Sequence, residues 1–253
     1  MHATAVATIV LGCILGSVVA GSILRALVPQ HHLSEESRSA LKLGTGMVAT
    51  LSALVLGLLV SSAKSNFDAL NAGLRETGAR IITLDRLLAH YGAEAGEARR
   101  LLKDVVEATI ERVWPEEASG TQPRQMGASI GALSKLMDQI DRLPVEGVQE
   151  RAFQSQTLAM STQLTLSFWQ LAERTQTALP FRVLVILVFW LCILFAEVGL
   201  FAPRNLTVAV VVALSALSTS AAIYLILEMN LPLTGAVKVS SGPLRAAAAQ
   251  LGK

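Results

Sequence analysis

The sequence predicts an all-α, polytopic membrane protein: four transmembrane helices with a helical insert between the second and the third. Three observations predict it. Four stretches are apolar over a length that crosses lipid; the charged residues gather between the second and third of them; and nothing alternates with a period of two for long enough to propose a strand. Composition agrees, with 52% hydrophobic and 16% charged residues and a mean hydropathy of +0.52, where soluble domains carry about 25% charge. The expected organisation is 1–63 for the first two spans, 64–180 for the insert, 181–227 for the last two spans and 228–253 for a C-terminal tail.

The first apolar run is Ala5 to Leu24. No Lys or Arg stands in Met1 to Thr8, so the run reads as a retained span and not as a secretory signal. Gly12, Gly16 and Ala20 recur at four-residue spacing, a small face suited to helix packing. A polar connection with Pro29, His31 and His32 follows, and Ser34 before Glu35 and Glu36 reads as a helix N-cap.

The second span, Gly44 to Lys64, is the centre of the chain. It has no charge before Lys64 and, at ~1.5 Å per residue, crosses a ~30 Å hydrocarbon layer. Gly46, Thr50, Ala53, Gly57 and Ser61 recur at steps of four and three and leave one side small and hydroxyl-bearing. Such a side lines a narrow path, and it serves equally for close helix packing. Ser62, Lys64 and Ser65 follow where the helix leaves lipid. A ring of them in an oligomer gathers donors and positive charge, which favours anions; singly, Lys64 serves as a snorkelling anchor. The helix then runs on without proline, and Leu70, Leu74, Thr77, Ile81, Leu84 and Leu88 form a heptad seam.

Gly92 is expected to end that helix. Ala93 to Trp114 is amphipathic, with Ala98, Leu101, Leu102, Val105, Thr109 and Val113 opposed to Arg99, Arg100, Lys103, Glu107 and Glu111. Breakers from Pro115 to Pro123 separate it from a third insert helix marked by Met126, Ile130, Leu133, Met137 and Ile140. A fourth, Val145 to Leu179, carries a seam of Val148, Ala152, Ser155, Ala159, Thr162, Leu166 and Trp169. Phe181 to Ala202 and Leu206 to Leu227 are the last two spans, joined by a hairpin at Pro203-Arg204-Asn205. Glu197 lies near the end of the former, with Arg204 as its expected partner.

Fourteen of the 21 Lys and Arg lie from Lys64 to Arg182, and Lys238, Arg245 and Lys253 lie in the tail. Only Arg25, Arg38, Lys42 and Arg204 fall in the other two connections. The positive-inside rule therefore puts the insert and both termini in the cytoplasm. No P-loop, GxGxxG, GxSxG or zinc-ligand spacing occurs, and the insert's acids alternate with arginines as on a solvated helix face. No enzyme activity, cofactor, metal or nucleic-acid partner is expected; the expected partners are the lipid bilayer, further copies of the chain and inorganic ions. Cys13 and Cys192 fall in apolar spans and read as small hydrophobes.

Positions 49 to 68, ATLSALVLGLLVSSAKSNFD, and 225 to 244, LILEMNLPLTGAVKVSSGPL, resemble the two signature blocks of the bestrophin-like family of bacterial four-span membrane proteins. The second block is also similar to the segment of true bestrophins in which an acid precedes Pro-Phe-x-Gly: Glu228, Pro232 and Gly235 keep that spacing, with Leu233 in place of the Phe. Bestrophins are oligomeric anion channels, typically pentamers, with the pore lined by the second span. The resemblance thus implies a homo-oligomeric anion-conducting channel of the bacterial inner membrane, with a pore-lining role for positions 46 to 61. The second span here has no aromatic residue for a neck, and the tail lacks the run of acids that clasps calcium. The residues alone support a second reading, a membrane-anchored signalling or scaffolding protein whose coiled-coil-like helices bind a partner.

Overall fold

A computed structural model describes residues 3–27, 35–114, 127–145, 147–176, 181–203, 205–231, 233 and 237–252. The expectations for Pro29, His31, His32, Ser34, the breaker loop from Pro115, Arg204, Pro232 and Gly235 fall outside them. No strand occurs among the described residues. The helices are α1 (Ala3–Leu27), α2 (Glu35–His90), α3 (Gly96–Val113), α4 (Gly127–Asp141), α5 (Val148–Gln176), α6 (Phe181–Phe201), α7 (Leu206–Met229) and α8 (Gly242–Ala248). α1, α2, α6 and α7 are long and apolar enough to cross a membrane. The chain forms two compact units, Met1–Ser65 with Ala178–Asn230 and Asn66–Thr177 with Leu231–Lys253.

In the first unit, Val10 and Ile14 of α1, Leu184, Leu187 and Leu191 of α6, and Ala216 and Ile223 of α7 share a core, against which Val55, Leu56 and Leu59 of α2 pack. α1 and α6 approach most closely at Gly21 and Gly199. A Cβ on Gly21 would run into the carbonyl oxygen of Ala196, and one on Gly199 into that of Val18, so only hydrogen fits at either position. Two serines tie the helices together: Ser22 donates to the Gly199 carbonyl at 3.2 Å, and Ser220 of α7 to the Ala7 carbonyl at 2.8 Å. The small face predicted to pack α1 is not the one used. Gly12, Gly16 and Ala20 are exposed, and nothing lies within 4 Å of a Cβ built on either glycine.

In the second unit the heptad seam of α2 is buried along its whole length, each of its six residues at 2% exposure or less. It packs within its own chain, against Leu102 and Val106 of α3, Leu133 and Leu136 of α4, Leu164 and Phe168 of α5, and Leu244 and Ala247 of α8. Gly73 and Gly78 make room for this: a Cβ would stand 3.0 Å from Leu171 Cδ2 at the first and 3.0 Å from the Pro243 carbonyl at the second. Gly92, at φ +70°, breaks the helix as expected, and a 3-10 turn, Gly92–Ala95, leads into α3. Asp85 of α2 accepts two hydrogen bonds from the Arg99 guanidinium, at 2.8 and 2.9 Å. Those bonds push the guanidinium above its ordinary value, outweighing burial.

The C-terminal segment is part of this core. Trp114 donates from Nε1 to the Val239 carbonyl at 2.9 Å, the Gly252 amide reaches Asp85 Oδ2 at 3.4 Å, and Val239, Leu244 and Leu251 are buried. The seam predicted for α5 is corrected. Val148, Ala152, Ser155, Ala159, Thr162, Leu166 and Trp169 are all exposed, and the buried side runs through Thr157, Ser161, Leu164, Phe168 and Leu171. Two of these buried hydroxyls give their protons to the helix itself: Thr157 donates to the Phe153 carbonyl at 2.9 Å and Ser167 to that of Gln163 at 2.8 Å, whereas Ser161 Oγ has no partner among the described residues.

Candidate functional site

Within the first unit, α2 presents three different sides, since residues advance by about 100° along a helix. The side turned to the core carries Val48, Val55, Leu56 and Leu59, half-buried, with Ser52 at 4% and Ala63 at 0% exposure. Ser52 Oγ has no hydrogen-bond partner among the described residues. Roughly opposite lies the small face: Gly46, Thr50, Ala53, Gly57 and Ser61 are all exposed, and a Cβ on Gly46 or Gly57 would meet nothing within 4 Å. Among the described residues, no helix of the chain covers that face. Beside it runs a stripe that sequence reasoning missed, Leu43, Met47, Leu51, Leu54 and Leu58, exposed by 48% to 73%. Its spacing of four, four, three and four was visible in the sequence, but a uniformly apolar span hides any one stripe.

Chemically the small face offers little beyond backbone and hydroxyl oxygen. Thr50 donates to the Gly46 carbonyl at 3.0 Å, so its proton is held by the helix and its outward oxygen is an acceptor. Ser61, Ser62, Lys64 and Ser65 are exposed where the apolar stretch ends, and Asp68 stands one helical turn beyond Lys64.

The other candidates lie elsewhere in the same unit. Glu197 is half-buried on α6. Glu228, in the last turn of α7, is 5% exposed and shares a hydrogen bond with Tyr224 one turn earlier; a buried carboxylate is tolerated where such bonds replace water. Among the described residues no group of three or more His, Cys, Asp or Glu is placed to hold a metal.

Four helices of lipid-crossing length, with an insert after the second whose described residues are mostly helical, define a polytopic membrane protein. A family model described as a Bestrophin-like domain matches residues 11–244. The chain belongs to the Bestrophin-like family. Similar solved structures include a bacterial bestrophin homologue from Klebsiella pneumoniae carrying a tryptophan-to-alanine substitution, with 16% identity, a TM-score of 0.65 and 96% of each chain covered. The same homologue with an aspartate-to-alanine substitution gives 17% identity and a TM-score of 0.63 over 94% of this chain and 96% of that one. A membrane protein with a proline-to-alanine substitution gives 15% and 0.65 over 96% of this chain and 97% of that one. At these identities the likeness is one of fold. No curated protein matches.

Proposed function

We propose that the protein is a homo-oligomeric ion channel of the bacterial inner membrane that passes anions, with its pore lined by Gly46, Thr50, Ala53, Gly57 and Ser61. The observation that carries this reading is the open small face of α2. It is narrow and polar enough to adjoin water, and it points away from the helices of its own chain. Copies arranged about a common axis, five of them by analogy with bestrophins, would turn these faces inward and bring Ser62, Lys64 and Ser65 together at one mouth. Membership of the Bestrophin-like family supports the same assignment. The distribution of Lys and Arg supports cytoplasmic termini and a cytoplasmic insert forming a helical vestibule. Protein reconstituted in liposomes under a chloride gradient is expected to give a current reversing toward the chloride potential. Silence across pH, voltage and ion composition would contradict the proposal.

The signalling reading retains one specific observation, the outward side of α5, where Val148, Leu166 and Trp169 are 86%, 54% and 55% exposed. The heptad seam no longer supports it, being used inside the second unit. That reading requires silent liposomes together with a partner lost on Trp169→Ala.

A further inference from the structure

We infer that the first unit carries a binding site for one anionic phospholipid: an acyl chain in the groove between α1, α6 and α7, and the headgroup phosphate on Arg25. The groove has a volume of about 550 Å³, within the ~300–1,000 Å³ typical of small-molecule sites. It is walled by Leu15 and Val19 of α1, Val198 of α6, and Ala209, Val212 and Ala213 of α7. The two polar side chains on its wall are already engaged. Ser22 donates to the Gly199 carbonyl, and Asn205 accepts from the Val208 amide at 2.9 Å. What the groove offers an occupant is hydrocarbon. Its three helices are among the four that cross lipid, so acyl chains are the medium around it.

The groove exists because of the glycine crossing. Gly21 and Gly199 bring α1 and α6 into backbone contact, and small residues on the facing side of α7, Ala209 and Ala213, leave the wedge between them unfilled. Arg25 supplies the charge. It stands one turn beyond Ser22, in the last turn of α1, and its Nη1 donates at 2.8 Å to the carbonyl of Ala202, a groove residue. That bond fixes the guanidinium at the rim with one of its five N–H groups used among the described residues. The planar fork suits a phosphate oxygen pair. A cation at the end of a lipid-crossing helix, beside an acyl-sized slot, favours an anionic phospholipid over a zwitterionic one, whose choline offsets the phosphate charge.

The site stands or falls independently of conduction. The test is native mass spectrometry of the intact assembly released from an equal mixture of phosphatidylglycerol and phosphatidylcholine with identical chains. Wild type should retain phosphatidylglycerol about fivefold over phosphatidylcholine, the ratio that ~1 kcal/mol per interfacial cation amounts to. Arg25→Gln should bring the ratio to about one, and Arg25→Lys, which keeps the charge but not the fork, should give a ratio between the two. The double variant Ala209→Phe/Ala213→Phe fills the groove from two exposed positions, leaves the core untouched, and should cut bound lipid of both kinds by more than half. Equal retention of the two lipids by wild type, or undiminished lipid on the double variant, would overturn the inference. So would a change of oligomeric mass in the double variant with no change in lipid, which would show the groove to be covered by a second copy.

Discussion

The two parts of α2 are made of similar residues at similar spacing and end in opposite situations. From Leu70 to Leu88 the apolar seam is closed off completely by α3, α4, α5 and α8. From Leu43 to Ser61 the same helix leaves both a leucine stripe and a small hydroxyl-bearing face uncovered, and only 6% of its most apolar window is buried. The difference follows from the solvent. Beside water, an unburied leucine seam costs about 1.5–3 kcal/mol per side chain, so the chain must close it. In lipid there is no such penalty, and faces can be left for lipid, for another copy, or for a water-filled path. Burial therefore records necessity in the second unit and leaves choice in the first.

Several substitutions break or sharpen that contrast. Leu84→Ala or Ile81→Ala should cost about 2–5 kcal/mol by cavity formation, read as a loss of thermal stability, whereas Leu54→Ala should stay within about 0.5 kcal/mol; equal losses would erase the distinction. Asp85→Asn removes the bidentate bond to Arg99 and should cost about 2–3 kcal/mol. That is below the ~3–5 of a fully buried pair, because the Arg99 side chain keeps 22% exposure. Gly21→Ala forces α1 off α6 and should cost about 1–3 kcal/mol. Gly57→Ala, in open space, should instead gain about 0.5–1 kcal/mol from helix propensity, while narrowing any pore it lines and lowering single-channel current. Lys64→Gln should leave the melting temperature unchanged within about 0.5 kcal/mol and reduce the anion-to-cation permeability ratio; an unchanged ratio would remove Lys64 from the mouth.

Much of the fold was legible because period and charge report burial directly in water. The α2 seam, the α3 face and the break at Gly92 all follow from apolar spacing against charged neighbours. The failures have a common physical origin. On α5 the buried side is built partly from Thr157 and Ser167, whose hydroxyls bond back to the helix, and from Ser161, so polar residues sit inside while Leu166 and Trp169 are left outside. On α1, glycine spacing marks where a close approach is allowed, and the approach occurs at Gly21, whose counterpart Gly199 lies far away in sequence. The Asp85–Arg99 pair and the docking of Trp114 on Val239 join residues from different helices, and nothing local announces them. For the candidate site, the sequence located the small face of α2, and geometry added that its own chain leaves it open.

The central claim, that this face adjoins water in the assembled protein, is tested most directly by cysteine scanning. Single cysteines at positions 46 to 61, placed in a Cys13→Ala/Cys192→Ala background, would be probed in membranes with a charged, membrane-impermeant thiol reagent. The account predicts rapid modification at 46, 50, 53, 57 and 61 and protection at 48, 52, 55 and 59. Uniform protection, or a modified set on the core-facing side, would contradict it.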